Sequence, residues 1–217
     1  MAATRYSEDT PRQGRQVRRR AETRAKLMAA ASALFARQGV DNTRIQEITD
    51  EADVGFGSFY NHFDSKDAIV AAVAHEAAAA MGAAIDVATE RLDDPAEVVA
   101  VAHRSLISRA AEDPGFGWLL VRLEITHDLA SSTLGPYAMR DLQRGIDSGR
   151  FRVDDPQVAL TAAGGALLAV VRAVLQGRAD ASKAPHHAAC VLRIFGLAPD
   201  DAAEVAARPL PRHPHIG

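Results

Sequence analysis

Ser58, Tyr60, Asn61 and His62 lie within five consecutive residues, with Phe59 and Phe63 interleaved one turn apart. Hydroxyls, an amide and an imidazole on one side of a short helix can hydrogen-bond phosphates and base edges. The two phenyl rings on the other side can seat that helix in a core. Lys66 follows one turn later and adds positive charge. A second set is Trp118, Arg122 and Ile125, spaced i, i+4, i+7 along one helical face. An aromatic ring beside a guanidinium can hold a planar or acidic small molecule. Trp118 also has the size of a core anchor, and Arg122 the charge to pair with Asp or Glu. Catalysis would need a nucleophile with its base, paired carboxylates or a metal set. No such motif stands out, so no enzyme activity, cofactor or metal is expected. His186 and His187 are neighbours, which do not face each other on a helix.

The elements that must position the first set are legible around it. Thr43 can N-cap a short helix, with Gln46 three residues on completing a capping box. Ile45, Ile48 and Ala52 give that helix one apolar face. Asp53-Val54-Gly55 breaks the pattern, and Gly57 permits close backbone approach. Asp64 or Ser65 can cap the following helix, whose first turn carries Asp67. Upstream, Leu27, Ala31, Leu34 and Phe35 mark a support helix over 22–38, stopped by Gly39.

The run T-x-I-x-x-I-x-x-x-A-x-V-x-x-G-S-F-Y-x-H-F-x-S-K, from Thr43 to Lys66, resembles the DNA-binding domain of the TetR family of bacterial transcriptional regulators. The likeness extends from about Ala21 to Met81. It implies a helix-turn-helix reader contacting double-stranded DNA through Thr43, Arg44, Gly55, Phe56, Gly57, Ser58, Tyr60, Asn61, His62 and Lys66. Tyr60, His62 and Lys66 would meet phosphates, with Thr43 at its helix start. Gly57 and Ser58 would approach bases with Phe56 beside them. Two positions depart from the family pattern. Gly55-Phe56 stands where a serine and a basic residue are common, and Thr49 replaces a small apolar residue. A phenyl ring can pack on a thymine methyl but cannot donate to guanine or neutralise phosphate.

The chain has 217 residues and is 47% apolar, yet only 5% aromatic and rich in alanine. No alternating Val/Ile/Thr run is present, so an all-α fold is expected: an N-terminal three-helix DNA-binding domain and a C-terminal helical ligand-binding and dimerisation domain. The expected boundaries are 1–20 for a disordered basic arm, 21–81 for the reader, 82–204 for the second domain and 205–217 for a flexible tail. One cysteine, Cys190, excludes an internal disulfide framework. No signal peptide is visible and a cytoplasmic location is expected. The net charge of −3 is unevenly spread: residues 1–38 hold nine Arg/Lys against three Asp/Glu, and residues 67–217 hold fourteen against nineteen. The basic stretch (Arg12, Arg15, Arg18, Arg19, Arg20, Arg24, Lys26) reads either as a phosphate or minor-groove contact or as a solvated tail.

A long helix is expected over 65–92, with further helices to about 112, over 116–128 and over 136–148. The segment 142–159 is again similar to the family, in which a helix closing at a glycine leads through a basic turn into the dimer helices. The next helix is expected over 156–176, and between Val158 and Leu175 only Thr161 and Arg172 are clearly polar. Such a helix must be covered on all sides, here by its own domain and by a second copy rather than by a membrane. With a helix over 186–197 it would form a twofold homodimer interface. The resemblance further implies a small-molecule effector, a palindromic operator and repression. The candidate effector residues are Met81, His103, Phe116, Trp118, Arg122, Tyr137, Met139 and Arg172.

Overall fold

The computed structural model describes residues 10–126 and 133–211, and side chains there except those of 10–13 and 123–126. The first nine residues of the expected arm, the last six of the expected tail and the side chains of Arg12 and Ile125 lie outside the described residues. The described chain is helical without a strand, the all-α class expected. It divides into two compact units, Met1–Val73 and Ala74–Gly217. The expected boundary near Met81 falls about two turns further along the same helix.

The first unit contains α1 (Thr10–Gln38), α2 (Ile45–Glu51), α3 (Phe56–Phe59) and the start of α4 (Lys66–Thr89). Leu27, Ala31, Leu34 and Phe35 of α1 are buried with Ile48, Phe59, Phe63 and Ile69, so the apolar stripe read from sequence is the core. The arm expectation is corrected in one respect: residues 10–20 are helical and continue α1. Pro11 falls in the first turn, where its missing N–H costs nothing. Arg18 pairs with Glu22 at 3.0 Å, and the Thr23 hydroxyl donates to the Arg19 carbonyl. The capping box is shifted by one residue. Arg44 is the N-cap of α2 and its N–H donates to the Glu47 carboxylate at 2.7 Å. Thr43 is buried and donates instead to the Gly39 carbonyl at 2.8 Å. Gln46 bonds Asp50.

The second unit contains the rest of α4, then α5 (Pro95–Glu112), α6 (Pro114–Thr126), α7 (Gly135–Asp147), α8 (Pro156–Leu175), α9 (Ala184–Ile194) and α10 (Pro199–Ala207). α5 is central, packing on α6, α7, α8, α9 and α10. Its N-cap, Asp94, accepts from the Ala96 N–H and also binds Arg150 and Arg208. Arg150 reaches Asp201 on α10 at 2.6 Å, and Arg208 reaches Glu97 at 2.8 Å. The last expected helix ends at Ile194, and α10 was not anticipated. Val205 and Ala206, assigned to the tail, are buried core residues of α10. Two glycines are structural. A Cβ on Gly145 would stand 1.9 Å from the Phe151 ring. Gly196, at φ +92°, would carry one 2.5 Å from the Arg152 carbonyl.

Two helices, α4 and α8, are long and apolar enough to cross a membrane by length and composition alone. α8 buries Ala159, Leu160, Ala163, Leu167 and Val171 against its neighbours.

Candidate functional site

In the first unit a short path of chain presents the DNA-reading candidates. α2 closes through the Val54 N–H to Thr49 carbonyl bond at 3.0 Å, with Asp53 at φ +53° in the turn. The Thr49 side chain is buried and its hydroxyl donates to the Gln46 carbonyl, which satisfies the polar group at that atypical position. α3 is one turn long. Phe59 inside it is fully buried and packs on Phe63, ring centres 5.7 Å apart. That anchor turns Phe56 and Tyr60 outward, 46% and 50% exposed, in an edge-on pair at 5.7 Å.

Arg44, Gly55, Phe56, Gly57, Tyr60 and Asn61 are exposed, Ser58, His62 and Lys66 partly so. Thr43 differs from these: it is buried, and its hydroxyl donates to the Gly39 carbonyl. A Cβ at Gly55 or Gly57 would meet no atom of the protein within 4 Å. Intramolecular packing therefore does not require either glycine, and the space beside them is open to a partner. The Arg20 guanidinium donates to the Asn61 carbonyl at 3.0 Å, and Arg24 lies 4.9 Å over the Phe63 ring. Desolvation first, then the charges of Arg20 and Arg24, hold the His62 imidazole below its ordinary pKa, so it is a neutral hydrogen-bonding group at pH 7. Lys66 reaches the Asp41 carbonyl at 3.4 Å.

The second unit holds a cavity of about 100 Å³. Gly82, Ile85 and Asp86 of α4, Val99, His103 and Leu106 of α5, Tyr137 and Asp141 of α7, and Leu160, Gly164 and Leu167 of α8 contribute to its walls. The lining is apolar apart from a few convergent polar groups. A ring nitrogen of His103 is 3.0 Å from one of His187. Desolvation, then repulsion from His187, pushes the His103 pKa down to about 3, so the pair is neutral. Asp141 is buried and bonds Arg140, which also makes a two-pronged contact to Asp86. Burial raises the Asp141 carboxyl above its usual range, and Arg140 only partly opposes this.

Of the eight effector candidates, His103 and Tyr137 line this cavity. Met81 and Phe116 are buried in the core behind it, and Met139 packs on the other apolar cluster. Trp118, 41% exposed, and Arg122 and Arg172 lie on the surface. The i, i+4 spacing on α6 was real, but it marks a face turned away from the core. Asp86 and Asp141 escaped the sequence reading. Their only signal was acidic residues in otherwise apolar or basic helix faces, which does not distinguish a cavity from solvent.

A helix-turn-helix reader followed by a separate helical unit defines a DNA-binding regulator. Family models bear directly on this. "Bacterial regulatory proteins, tetR family" matches residues 27–73, and "Tetracyclin repressor-like, C-terminal domain" matches 94–208. The chain belongs to the TetR family of bacterial transcriptional regulators. The crystal structure of RolR in complex with resorcinol is similar, with 38% identity and a TM-score of 0.81, covering 91% of this chain and 99% of that one. RolR without ligand superimposes with a TM-score of 0.78 at 39% identity, over 87% of this chain and 98% of that one. The repressor KstR2 of Rhodococcus jostii is 43% identical over 47 residues, which spans 22% of this chain and only 23% of that protein. The repressor AcnR of Corynebacterium glutamicum is 26% identical over 148 residues, 62% of this chain and 71% of that one.

Proposed function

We propose that the protein is a homodimeric repressor that holds a palindromic operator and releases it when a small hydroxylated aromatic compound fills the cavity of the second unit. The observation that carries the effector reading is the cavity itself: one ring in size, apolar, with Asp141, Tyr137 and His103 converging on it. An apolar cavity of about 150 Å³ is known to hold one benzene ring. A buried carboxylate and a neutral imidazole supply acceptors for phenolic hydroxyls. The resemblance to RolR, whose structure holds resorcinol, favours a dihydroxybenzene as the first compound to try.

On the DNA side, Tyr60, His62, Lys66 and Arg44 position the reader on phosphates, and Gly57, Ser58 and Phe56 approach base edges. Two readers would enter successive major grooves roughly 34–36 Å apart. Dimerisation is supported by the exposed stripe of α8, with Val158, Ala162, Gly165, Ala169 and Arg172 at i, i+4, i+7, i+11, i+14. Cys190 and Ile194 are exposed on α9. A second copy, not lipid, covers that stripe, and the protein works in the cytoplasm beside its DNA. The opposite side of α8 lines the cavity, and Gly82 and Asp86 place α4 there too. An effector can shift the equilibrium only by its differential affinity for the two states. About 10⁴-fold is needed for a nearly complete switch.

The test is selection of binding sites from random duplexes by the ligand-free protein, followed by resorcinol titration of the selected complex. A palindromic consensus released by the diphenol is expected. Asp141→Asn should weaken the diphenol response about tenfold or more while operator affinity holds. Absence of enrichment at low salt would overturn the repressor reading, and indifference to diphenols would overturn the effector class alone.

A further inference from the structure

The N-terminal half of α1 contributes no buried residue among the described side chains. From Gly14 to Glu22 every residue is exposed, and Val17 is 69% exposed. Between Arg15 and Lys26 there are six basic residues and one acidic residue, Glu22. A helix polar on all sides is marginal in water unless something covers it. Among the described side chains, Arg18 pairs with Glu22 at 3.0 Å, which offsets a single charge. This basic helix is also continuous with the DNA reader. Arg20 and Arg24, at i and i+4, face the loop after α3, where Arg20 donates to the Asn61 carbonyl at 3.0 Å and Arg24 lies over Phe63.

We infer that α1 is a second DNA-contacting element, a helix laid along the phosphate backbone beside the groove that α3 enters, with Arg20 as its anchor on a phosphate. A guanidinium has five N–H donors. With one committed to Asn61, Arg20 keeps donors for a phosphate oxygen in a fixed orientation, which a flexible arm would not provide. Arg24 and Arg19 add charge along the same helix. Hydrogen bonding of Arg20 to the backbone of the reader ties the two elements in register. The helix contributes affinity without sequence information, because it meets phosphates and not base edges. The inference rests on the repressor reading of the first unit.

The full-length protein and its own selected operator provide the test, with a scrambled duplex alongside. Affinity is measured across a salt series. Arg20→Ala should weaken both duplexes by a similar factor, about tenfold. It should also flatten the log–log salt dependence by about one unit per subunit. Were Arg20 only a brace for the Asn61 loop, operator affinity would drop but the salt slope would stay, and the inference would be wrong. Val17→Pro keeps every charge and interrupts the helix. It should lower affinity for both duplexes several-fold, whereas an unstructured basic tail would tolerate it unchanged. An unaltered affinity in Val17→Pro overturns the helical contact. If the unmodified protein selects no operator at all, the repressor reading fails first, and that failure is visible before any variant is made.

Discussion

In the first unit, the groups offered to a partner project from one turn of helix and the loop after it, and everything that fixes them lies within a few residues. In the second, Asp86, His103, Tyr137 and Asp141 arrive from α4, α5 and α7 on a cavity walled partly by α8. The first site is convex and polar, built on two buried phenyl rings. The second is concave and apolar, with His103 bonded to His187 and Asp86 and Asp141 bonded to Arg140. A surface reader can be specified by a contiguous run of sequence. A cavity is specified by volumes contributed from distant parts of the chain.

The largest way to break the comparison is to remove the reader's anchor. Phe59 is fully buried, and Phe59→Ala should cost about 3–5 kcal/mol. Operator binding should disappear, while binding of a diphenol to the second unit, followed by calorimetry, should persist. If the variant also loses the ligand, the two units are not independent in stability.

This contrast explains what was legible. The periodicity of Ile45, Ile48 and Ala52, the interleaved Phe59 and Phe63, and the stripe from Leu27 to Phe35 are local patterns, and each identified its element and core face. Inside that unit the cap of α2 differs from expectation by one residue, and the start of α1 by twelve. Thr43 has the chemistry of an N-cap, but Glu47 caps the Arg44 N–H and leaves the Thr43 hydroxyl to close the end of α1. The start of α1 was missed because an arginine-rich stretch looks the same whether it is helical or not. In the second unit, Trp118 and Arg122 were chosen for their chemistry, yet nothing local reveals which face of α6 is covered. Arg140 bridges Asp86 and Asp141 over 54 residues and one residue respectively, and that triad exists only in three dimensions. α10 was lost for a similar reason: Val205 is buried only because α5 and α9 cover it.

A smaller and graded effect sharpens the second half of the comparison. The His103–His187 hydrogen bond needs an unprotonated nitrogen as its acceptor, and burial keeps both rings below their ordinary pKa. Between about 6.5 and about 3 the unfolded chain therefore binds a proton at His103 that the folded chain does not. This contribution to stability is complete above pH 6.5 and falls as pH drops through that window. The slope approaches 1.4 kcal/mol per pH unit for one fully shifted histidine. Asp141, with its raised pKa, acts in the opposite sense, so the informative quantity is a difference between proteins. Urea unfolding at pH 7 and pH 5 should show a smaller pH dependence in His103→Leu than in the unmodified chain. Equal slopes would mean that the imidazole reaches water freely in the folded state.

The smallest effect on stability belongs to the residue where the reader departs from its family. Phe56 is 46% exposed, edge-on to Tyr60, and its neighbouring glycines leave open space. A surface substitution there should move stability by no more than about 0.5 kcal/mol. Its effect on specificity should be much larger. A phenyl ring favours the thymine methyl, and a lysine in its place would favour guanine and add a charge that steepens the salt dependence. Phe56→Lys, put through the same selection from random duplexes, should return a palindrome with unchanged half-site spacing and an altered base at one position per half-site. On the proposed reading the second unit sets the spacing and the first sets the base. A changed spacing would show that one residue of the reader also sets the dimer geometry. An unchanged consensus would place Phe56 beside the groove with only Tyr60 as its partner.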